Sequence, residues 1–263
     1  MDQIKSLLFV PATEKFLAKS DGMNADAVIY DLEDSIAEGN KEQALQLLEN
    51  LLAKDQQKVR TYVRINRHRE NIELARLDKY KFDGYMIPKY ESDAFVDHNR
   101  MYIKNRDIIA LIETPMGIVK IEDIVSSPAV TAVAFGAEDF TCTVNMRNDA
   151  TALSYAKSRM VTYAAAYQKA AYDTPSFNYK DLQAFQAEAE VSSALGFTGK
   201  LAIHPDQVPI INKEFNLYDY DYIRYVIEQF AEAPTGVLRL DNRIYEKPHI
   251  DRLKKIQANR PIK

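Results

Sequence analysis

The stretch DIIALIETPMG, residues 107–117, is a continuous apolar run that ends in a carboxylate and a Thr-Pro step. A short apolar run bounded by polar and turn residues is typical of a strand that is buried on both faces, as in a parallel sheet covered by helices. The chain stops being apolar at Glu113, so we expect its side chain to emerge where this strand ends.

Seven further runs of the same kind recur along the chain. They are SLLFV (6–10), AVIYD (27–31), TYVRIN (61–66), GYMIPK (84–89), TAVAFG (131–136), AAYDT (170–174) and KLAIH (200–204). The ends of successive runs lie between 21 residues (Val10 to Asp31) and 34 residues (Asp139 to Asp173) apart. This spacing is that of βα units. Helical patterns fill the gaps, most clearly over Lys41–Lys54 and over Leu182–Leu195, where Gly196 is placed to end the helix.

Eight buried strands in about 200 residues predict an α/β protein with a (β/α)8 TIM barrel. An open doubly wound sheet is the alternative. Neither GxGxxG after the first strand nor GxxxxGK[ST] occurs, so the usual glycine-rich phosphate loops are absent from the sequence.

The alternation of apolar strand runs and helical patterns ends after His204. Residues 219–233 read as a helix, followed by a short ribbon and a second helix. We therefore predict a barrel over 1–215 that carries the active site, and a C-terminal extension over 216–263. About 45 residues are few for an independent core, so we expect the extension to pack on the barrel or on a neighbouring subunit.

Composition narrows the class of protein. Hydrophobic residues make up 46% and charged residues 27% of the 263 residues, and the net charge is −4. This argues against a nucleic-acid partner and against binding to an anionic membrane surface. No apolar stretch approaches the roughly 18 residues needed to span a bilayer. The lone Cys142 cannot form an internal disulfide, and the first residues lack a signal-peptide pattern, which predicts a cytoplasmic location.

Polar residues stand at, or just past, the ends of six predicted strands. They are Asp31, Arg64, Lys89, Glu113, Asp139 and His204. In a barrel the carboxyl ends of all strands meet at one mouth, where barrel enzymes place their sites. Any one of these residues could equally be a polar residue that ends a strand at the surface.

Two of these residues suggest a metal. Glu113 and Asp139 are expected on adjacent parallel strands, about 5 Å apart, and Mg²⁺ typically takes one or two protein carboxylates. Alternatively, Glu113 pairs with Arg64. The guanidinium of Arg64 suits a substrate carboxylate, but it could instead be the partner of Asp31, Glu33 and Asp34, three close carboxylates in VIYDLEDS (28–35). His204, followed by a proline, could be a packed loop histidine.

The ordered motifs resemble those of the citrate lyase beta subunit-like proteins, which belong to the HpcH/HpaI aldolases of the phosphoenolpyruvate/pyruvate superfamily. The family includes malyl-CoA and citramalyl-CoA lyases. The motifs run from Ser6 to about Ile256 and read SLLFVP, VIYDLEDS, YVRIN, MIPK, LIETPMG, AFGAEDF, KSRMV, ALGFTGKLAIHPDQV and DNRIYEKP. The resemblance implies a Mg²⁺-dependent lyase that cleaves a citryl, malyl or citramalyl thioester to an acetyl thioester and a 2-oxo acid. The thioester is carried by coenzyme A or a carrier protein.

The resemblance also implies roles for particular residues. Glu113 and Asp139 correspond to the metal ligands, and Arg64 to the clamp for the oxo-acid carboxylate. Lys89 and His204 are then further substrate-binding residues. Asp31, Glu33 and Asp34 are expected to accept hydrogen bonds from metal-bound water or to hold Arg64.

The tail motif implies a proton donor supplied by a neighbouring subunit. In several relatives an Asp in this motif acts as the acid/base, and here Glu246 takes its place. The resemblance therefore implies a homo-oligomer, a trimer or hexamer, which could belong to a lyase complex. Three alternatives stay open: a thioester hydrolase, an aldolase of free hydroxy acids, and a non-catalytic subunit that binds a 2-oxo acid.

Overall fold

The computed structural model describes residues 4–19, 23–103, 105–216, 220–233 and 235–258. The chain divides into two compact units, Ile4–Phe215 and a second that begins at Asn216. The first unit is a closed barrel of eight parallel strands, so the predicted (β/α)8 barrel is confirmed and the open sheet is excluded. The strands are β1 (Ser6–Pro11), β2 (Ala27–Asp31), β3 (Arg60–Arg64), β4 (Gly84–Ile87), β5 (Asp107–Ile112), β6 (Ala132–Phe135), β7 (Ala170–Asp173) and β8 (Gly199–Ala202).

Side chains along each strand alternate between the barrel interior and the layer that faces the helices. In β5, Ile109 and Leu111 belong to the interior cluster, whereas Ile108 and Ala110 pack in the outer cluster. A residue two positions beyond the last interior side chain therefore aims into the mouth of the barrel. Glu113 stands at that position after Leu111.

Ten helices of the described chain belong to this unit. They are α1 (Glu14–Leu17), α2 (Lys41–Leu52), α3 (Glu70–Leu77), α4 (Ala94–Ile103), α5 (Pro115–Val119), α6 (Ile121–Ser126), α7 (Ala137–Val144), α8 (Ala150–Ala166), α9 (Leu182–Leu195) and α10 (Val208–Glu214). Helix α9 has the predicted bounds and ends at Gly196, whose φ of 98° is left-handed. Helix α2 ends two residues earlier than predicted. No helix in the described ranges has the length and apolar character to span a bilayer.

The turn after β5 shows how the sequence positions Glu113. The hydroxyl of Thr114 accepts a hydrogen bond from the N–H of Gly117 at 3.1 Å and so caps helix α5. Pro115 occupies the first helical position, where its missing N–H is not needed. Glu113 is thereby held between a paired strand and a capped helix, with little backbone freedom.

The second unit contains α11 (Tyr220–Glu232), β9 (Val237–Leu240), β10 (Arg243–Glu246) and α12 (Lys247–Ala258). The two strands form an antiparallel hairpin whose two loop residues, Asp241 and Asn242, both have positive φ, as a type I′ turn requires. The unit has a small hydrophobic cluster of its own, with Val226, Tyr245 and Ile250 buried. Its packing on the barrel or on a neighbouring subunit stays a prediction.

Candidate active site at the barrel mouth

Three charged residues converge at the mouth because of strand alternation. Asp31, Arg64 and Glu113 each lie two residues beyond an interior side chain, on β2, on β3 and just after β5. The pocket there is lined by polar residues, including Asp34, Arg64, Glu113, Asp139 and Thr174, and by apolar ones, including Phe9, Leu111, Phe135 and Phe177. The structure thus brings together Arg64 with both candidate metal ligands.

Arg64 is surrounded by the three carboxylates of VIYDLEDS. Its Nε and Nη2 donate to the two oxygens of Asp31 at 2.7 and 2.8 Å, which is a bidentate pair. Its Nη1 lies 3.0 Å from Asp34 Oδ2 and 3.2 Å from Glu33 Oε2. The repulsion within the acidic segment is therefore balanced by one guanidinium.

Burial and pairing act in opposite directions on the Asp31–Arg64 pair. Burial would raise the pKa of Asp31, but the charge of Arg64 and the hydrogen bonds that Asp31 accepts hold its pKa below the ordinary value. Burial would likewise lower the pKa of Arg64, but the charge of Asp31 outweighs it and raises that pKa. Both groups stay ionised, and Arg64 keeps a fixed orientation.

A buried network that was not predicted from the sequence supports the acidic segment. The ammonium of Lys41 donates to the backbone oxygens of Leu32 and Glu33 at 2.9 and 2.6 Å and to Asn66 Oδ1 at 2.7 Å. Asn66 in turn donates to Leu32 O and to Glu73 Oε1. Of these residues, the sequence pointed only to Asn66, which stands at the end of the predicted strand TYVRIN. Its partners Lys41 and Glu73 lie on helices α2 and α3.

Glu113 is almost fully buried, with 4% of its surface exposed. Its Oε1 accepts a hydrogen bond from the backbone N–H of Lys89 at 2.9 Å. A Cβ atom at Gly136 would lie 2.7 Å from both the Cβ and the Oε2 of Glu113, so glycine is needed there for the carboxylate to pass. Burial raises the pKa of Glu113 to about 7, which the negative charge of Asp139 assists and Lys89 opposes.

Asp139 does not stand at a strand end, which corrects the expectation of two carboxylates on adjacent strands. Strand β6 ends at Phe135, and Asp139 lies in the first turn of helix α7, with 42% of its side chain exposed. Its Oδ2 lies 2.8 Å from the ammonium of Lys89. The helix turn still directs the carboxylate into the pocket that Glu113 lines.

Glu33 is a further carboxylate whose charge interacts with that of Glu113. Burial raises its pKa to about 8, and the negative charges of Asp34 and Glu113 contribute, although Arg64 opposes the shift. Its Oε2 is buried and makes no hydrogen bond within the described residues, but it lies 3.2 Å from Nη1 of Arg64. The guanidinium is therefore the partner of this oxygen.

The arrangement fits a magnesium ion better than a transition metal. No group of three or more His, Cys, Asp or Glu side chains that could hold a metal occurs in the part of the chain that the structure describes. Mg²⁺ commonly takes one or two carboxylates and fills its other positions with water and substrate oxygens. Glu113 and Asp139, which line the same pocket, meet that requirement.

One predicted site residue lies elsewhere in the barrel unit, and another belongs to the second unit. His204 is not among the residues that line the pocket: its ring stacks on Tyr179 at 5.0 Å, and its Nδ1 accepts from the N–H of Asp206. The proline that follows starts a short 3-10 turn, and His204 caps that turn instead of facing the mouth. Glu246 is the exposed last residue of β10 in the second unit.

A second buried charge cluster lies between strands β7 and β8 and helices α8 and α9. Asp173 on β7 pairs with Lys157 at 2.9 Å and with Lys200 at 3.2 Å, and it accepts a hydrogen bond from Ser192. Burial would raise the pKa of Asp173, but the two ammonium groups lower it to about 2. The cluster joins β7 and β8 to helices α8 and α9, so its evident role is structural.

The metal-free protein is expected to lose stability as the pH rises from about 5 to 8. Glu113 and Glu33 have folded-state pKa values of about 7 and 8, above the ordinary 4.5, so the folded state binds more protons than the unfolded state in this window. Ionisation of Glu113 should cost on the order of 3 kcal/mol. Urea unfolding in EDTA at pH 5.5 and 8 measures this difference.

Glutamine at position 113 should make the unfolding free energy less dependent on pH, because it cannot ionise. The matched control is Glu38→Gln, since Glu38 is exposed and should leave the dependence as in the wild type. An equal pH dependence in the wild type and Glu113→Gln would contradict this prediction.

A family model matches most of the chain. The model of the family described as HpcH/HpaI aldolase/citrate lyase matches residues 5–205, which include every strand of the barrel. The match covers well over half of the chain and includes Arg64, Glu113 and Asp139.

Individual proteins are similar over nearly the whole chain. A (3S)-malyl-CoA thioesterase of Cereibacter sphaeroides is 31% identical over 260 residues, covering 94% of this chain and 90% of that protein. The citrate lyase subunit beta of Leuconostoc mesenteroides is 26% identical, covering 96% and 91%. The crystal structure of CitE from Mycobacterium tuberculosis in complex with magnesium, acetoacetate and coenzyme A has a TM-score of 0.79 and 26% identity, covering 97% of each chain.

Proposed function

Because this chain belongs to the HpcH/HpaI aldolase/citrate lyase family, we propose that it is a Mg²⁺-dependent carbon–carbon lyase. Its substrate is a 3-hydroxy-carboxyacyl thioester of the citryl, malyl or citramalyl type, and its products are an acetyl thioester and a 2-oxo acid. The observation that carries the proposal is the pocket in which Arg64 faces the carboxylates of Glu113 and Asp139. The magnesium and coenzyme A bound in the M. tuberculosis structure support the metal and the thioester.

In this proposal Glu113 and Asp139 hold the Mg²⁺. The ion, when bound, supplies a Lewis acid for the substrate oxygen that becomes a carbonyl during cleavage. Glu113 is prepared for this role by the backbone N–H of Lys89, which fixes one of its oxygens. Gly136 leaves the space for the other oxygen.

Arg64 orients the carboxylate of the 2-oxo acid. Its three hydrogen bonds to Asp31 and Asp34, together with the contact of Nη1 with Glu33, leave one N–H of Nη2 for a ligand among the described contacts. Asp31 keeps the guanidinium plane fixed, and the ring of Phe9 lies 4.9 Å from its central carbon. A donor that is already immobilised loses little entropy when it binds the substrate.

The cleavage also needs a proton. When the carbon–carbon bond breaks, its electron pair passes to the acetyl thioester as an enolate, and the hydroxyl proton is released as the carbonyl forms. The enolate carbon must then be protonated by an acid within reach. We assign this step to Glu246, supplied by a neighbouring subunit, and we therefore propose a homo-oligomer, either a trimer or a hexamer.

A thioester hydrolase is the second candidate. It is favoured by one observation, the 31% identity to a protein named (3S)-malyl-CoA thioesterase. A hydrolase would use the same metal and the same clamp but would release a free hydroxy acid and a thiol. The products distinguish the lyase from the hydrolase. They also distinguish both from a non-catalytic subunit and from an aldolase of free hydroxy acids, neither of which would cleave a thioester.

The experiment is a substrate panel. Citryl, malyl and citramalyl thioesters, on coenzyme A and on a carrier-protein arm, are incubated with Mg²⁺ or with EDTA, and the products are identified by mass spectrometry. We expect one acyl group to give an acetyl thioester and its 2-oxo acid with Mg²⁺ only. Formation of no 2-oxo acid from any of them, or cleavage that EDTA leaves unchanged, would contradict the proposal.

A further inference from the structure

Lys89 contacts both candidate metal ligands. Its backbone N–H donates to Glu113 Oε1 at 2.9 Å, and its ammonium lies 2.8 Å from Asp139 Oδ2. One residue therefore holds one carboxylate through the backbone and neutralises the other through the side chain.

The backbone of Lys89 is in an uncommon conformation, with a φ of 48°. Seven non-glycine residues of the described chain have positive φ, and five of them are Asn or Asp, which adopt it more readily. A lysine has no such local compensation, so the strain must be held by its surroundings. What this conformation provides is the N–H directed at Glu113, while the side chain is free to reach Asp139.

The ammonium is held less strongly on Asp139 when that carboxylate holds a metal. A divalent cation and an ammonium on the same carboxylate repel each other. About half of the Lys89 side chain is exposed, and its four-carbon stem has several rotatable bonds, so the ammonium can move without disturbing the backbone.

We propose that Lys89 exchanges partners when the metal binds: its ammonium pairs with Asp139 in the metal-free protein and binds a carboxylate of the substrate once the metal has taken Asp139. This inference rests on the proposed function, because it assumes that Glu113 and Asp139 hold the metal. In the metal-free protein the ammonium therefore reduces the repulsion between the carboxylates of Glu113 and Asp139 and keeps them close together. Lys89 becomes a substrate-positioning residue afterwards.

If this exchange occurs, removal of the ammonium should strengthen metal binding and weaken oxo-acid binding. Metal binding no longer requires an ion pair to be broken, so Mn²⁺, which serves as the probe, should bind about two- to fivefold tighter in Lys89→Met, as expected for the loss of a half-exposed pair. The substrate carboxylate loses a partner, so pyruvate or oxaloacetate should bind about tenfold more weakly at saturating Mn²⁺. A lysine with only a structural role would not separate the two affinities in this way.

The experiment compares Lys89→Met, Lys89→Gly and a control. Lys89→Gly also relieves the backbone strain and keeps the N–H to Glu113, so it should behave like Lys89→Met if the ammonium is what matters. Lys81→Met removes an exposed lysine that is likewise paired with an aspartate, Asp55, and should change neither affinity. Mn²⁺ binding is measured by electron paramagnetic resonance and oxo-acid binding by calorimetry. A crystal structure with Mn²⁺ should show the ammonium of Lys89 beyond hydrogen-bond distance from Asp139.

The outcomes are distinct. Unchanged or weaker Mn²⁺ binding in both Lys89 variants, unchanged oxo-acid binding, or an intact Lys89–Asp139 pair beside the metal would each overturn the exchange. If the exchange is observed but no thioester is cleaved, the lyase activity fails, whereas the metal site and this inference stand. If the wild-type protein binds no Mn²⁺, both fail.

Discussion

Replacing Glu113 with glutamine is expected to abolish Mg²⁺-dependent binding of oxaloacetate or pyruvate. Glutamine keeps the volume of the side chain and an oxygen that can accept from the N–H of Lys89, but it removes the negative charge that a hard cation requires. The loss should exceed the roughly 10 to 100-fold that is typical when a residue only supports a ligand. Calorimetric titration of the oxo acid with and without Mg²⁺ measures it, and Glu113→Ala should behave in the same way.

The matched control for this variant is Glu138→Gln. Glu138 lines the same pocket and stands next to Asp139, but it accepts a hydrogen bond from the side chain of Asn148. Its replacement should leave oxo-acid binding within a few-fold of the wild type. Undiminished binding in Glu113→Gln would remove Glu113 from the proposed metal site.

Replacing Glu246 with glutamine is expected to remove turnover while Mg²⁺ and oxo-acid binding stay intact. Glutamine cannot give or take the proton, and a general acid/base typically contributes about 10² to 10⁴-fold to the rate. Glu246→Asp should keep part of the activity, since the carboxylate remains but is set back by one methylene. Steady-state rates of thioester cleavage, together with calorimetry, separate the two effects.

Mixing two inactive variants tests whether Glu246 acts between subunits. Hybrid oligomers of Glu113→Gln and Glu246→Gln would contain some sites with both residues intact, so activity should return on mixing. The control is Glu228→Gln, an exposed carboxylate on α11 of the same unit, which should keep wild-type activity. Full turnover in Glu246→Gln, a monomer in sizing chromatography at working concentration, or no recovery on mixing would each count against the transfer between subunits.

Local patterns in the sequence predicted the barrel well. The eight runs are almost wholly apolar because each strand is covered by helices outside and by packed side chains inside. The same two-residue alternation carries Asp31, Arg64 and Glu113 into the mouth, which explains why polar residues at strand ends were informative. Gly196 ended α9 where expected, since only its own backbone conformation was needed.

The partners of these residues could not be predicted, because they depend on contacts between distant segments. The sequence left open whether Arg64 faces a substrate or the acidic segment, and the structure pairs it with Asp31, Asp34 and Glu33 while leaving one N–H of Nη2 over in the described contacts. Lys41 and Glu73 are separated by a whole strand in the sequence and are both hydrogen-bonded to Asn66. The placement of Asp139 on a helix turn and the positive φ of Lys89 also have no signature in local composition.

The products of thioester cleavage test the central claim most directly. With the acyl group that the panel identifies, the 2-oxo acid, the acetyl thioester and free thiol are quantified in one reaction with Mg²⁺. The proposed lyase predicts equal amounts of 2-oxo acid and acetyl thioester and no free thiol. Release of free thiol with the intact hydroxy acid, and no 2-oxo acid, would contradict the account and identify the protein as a hydrolase.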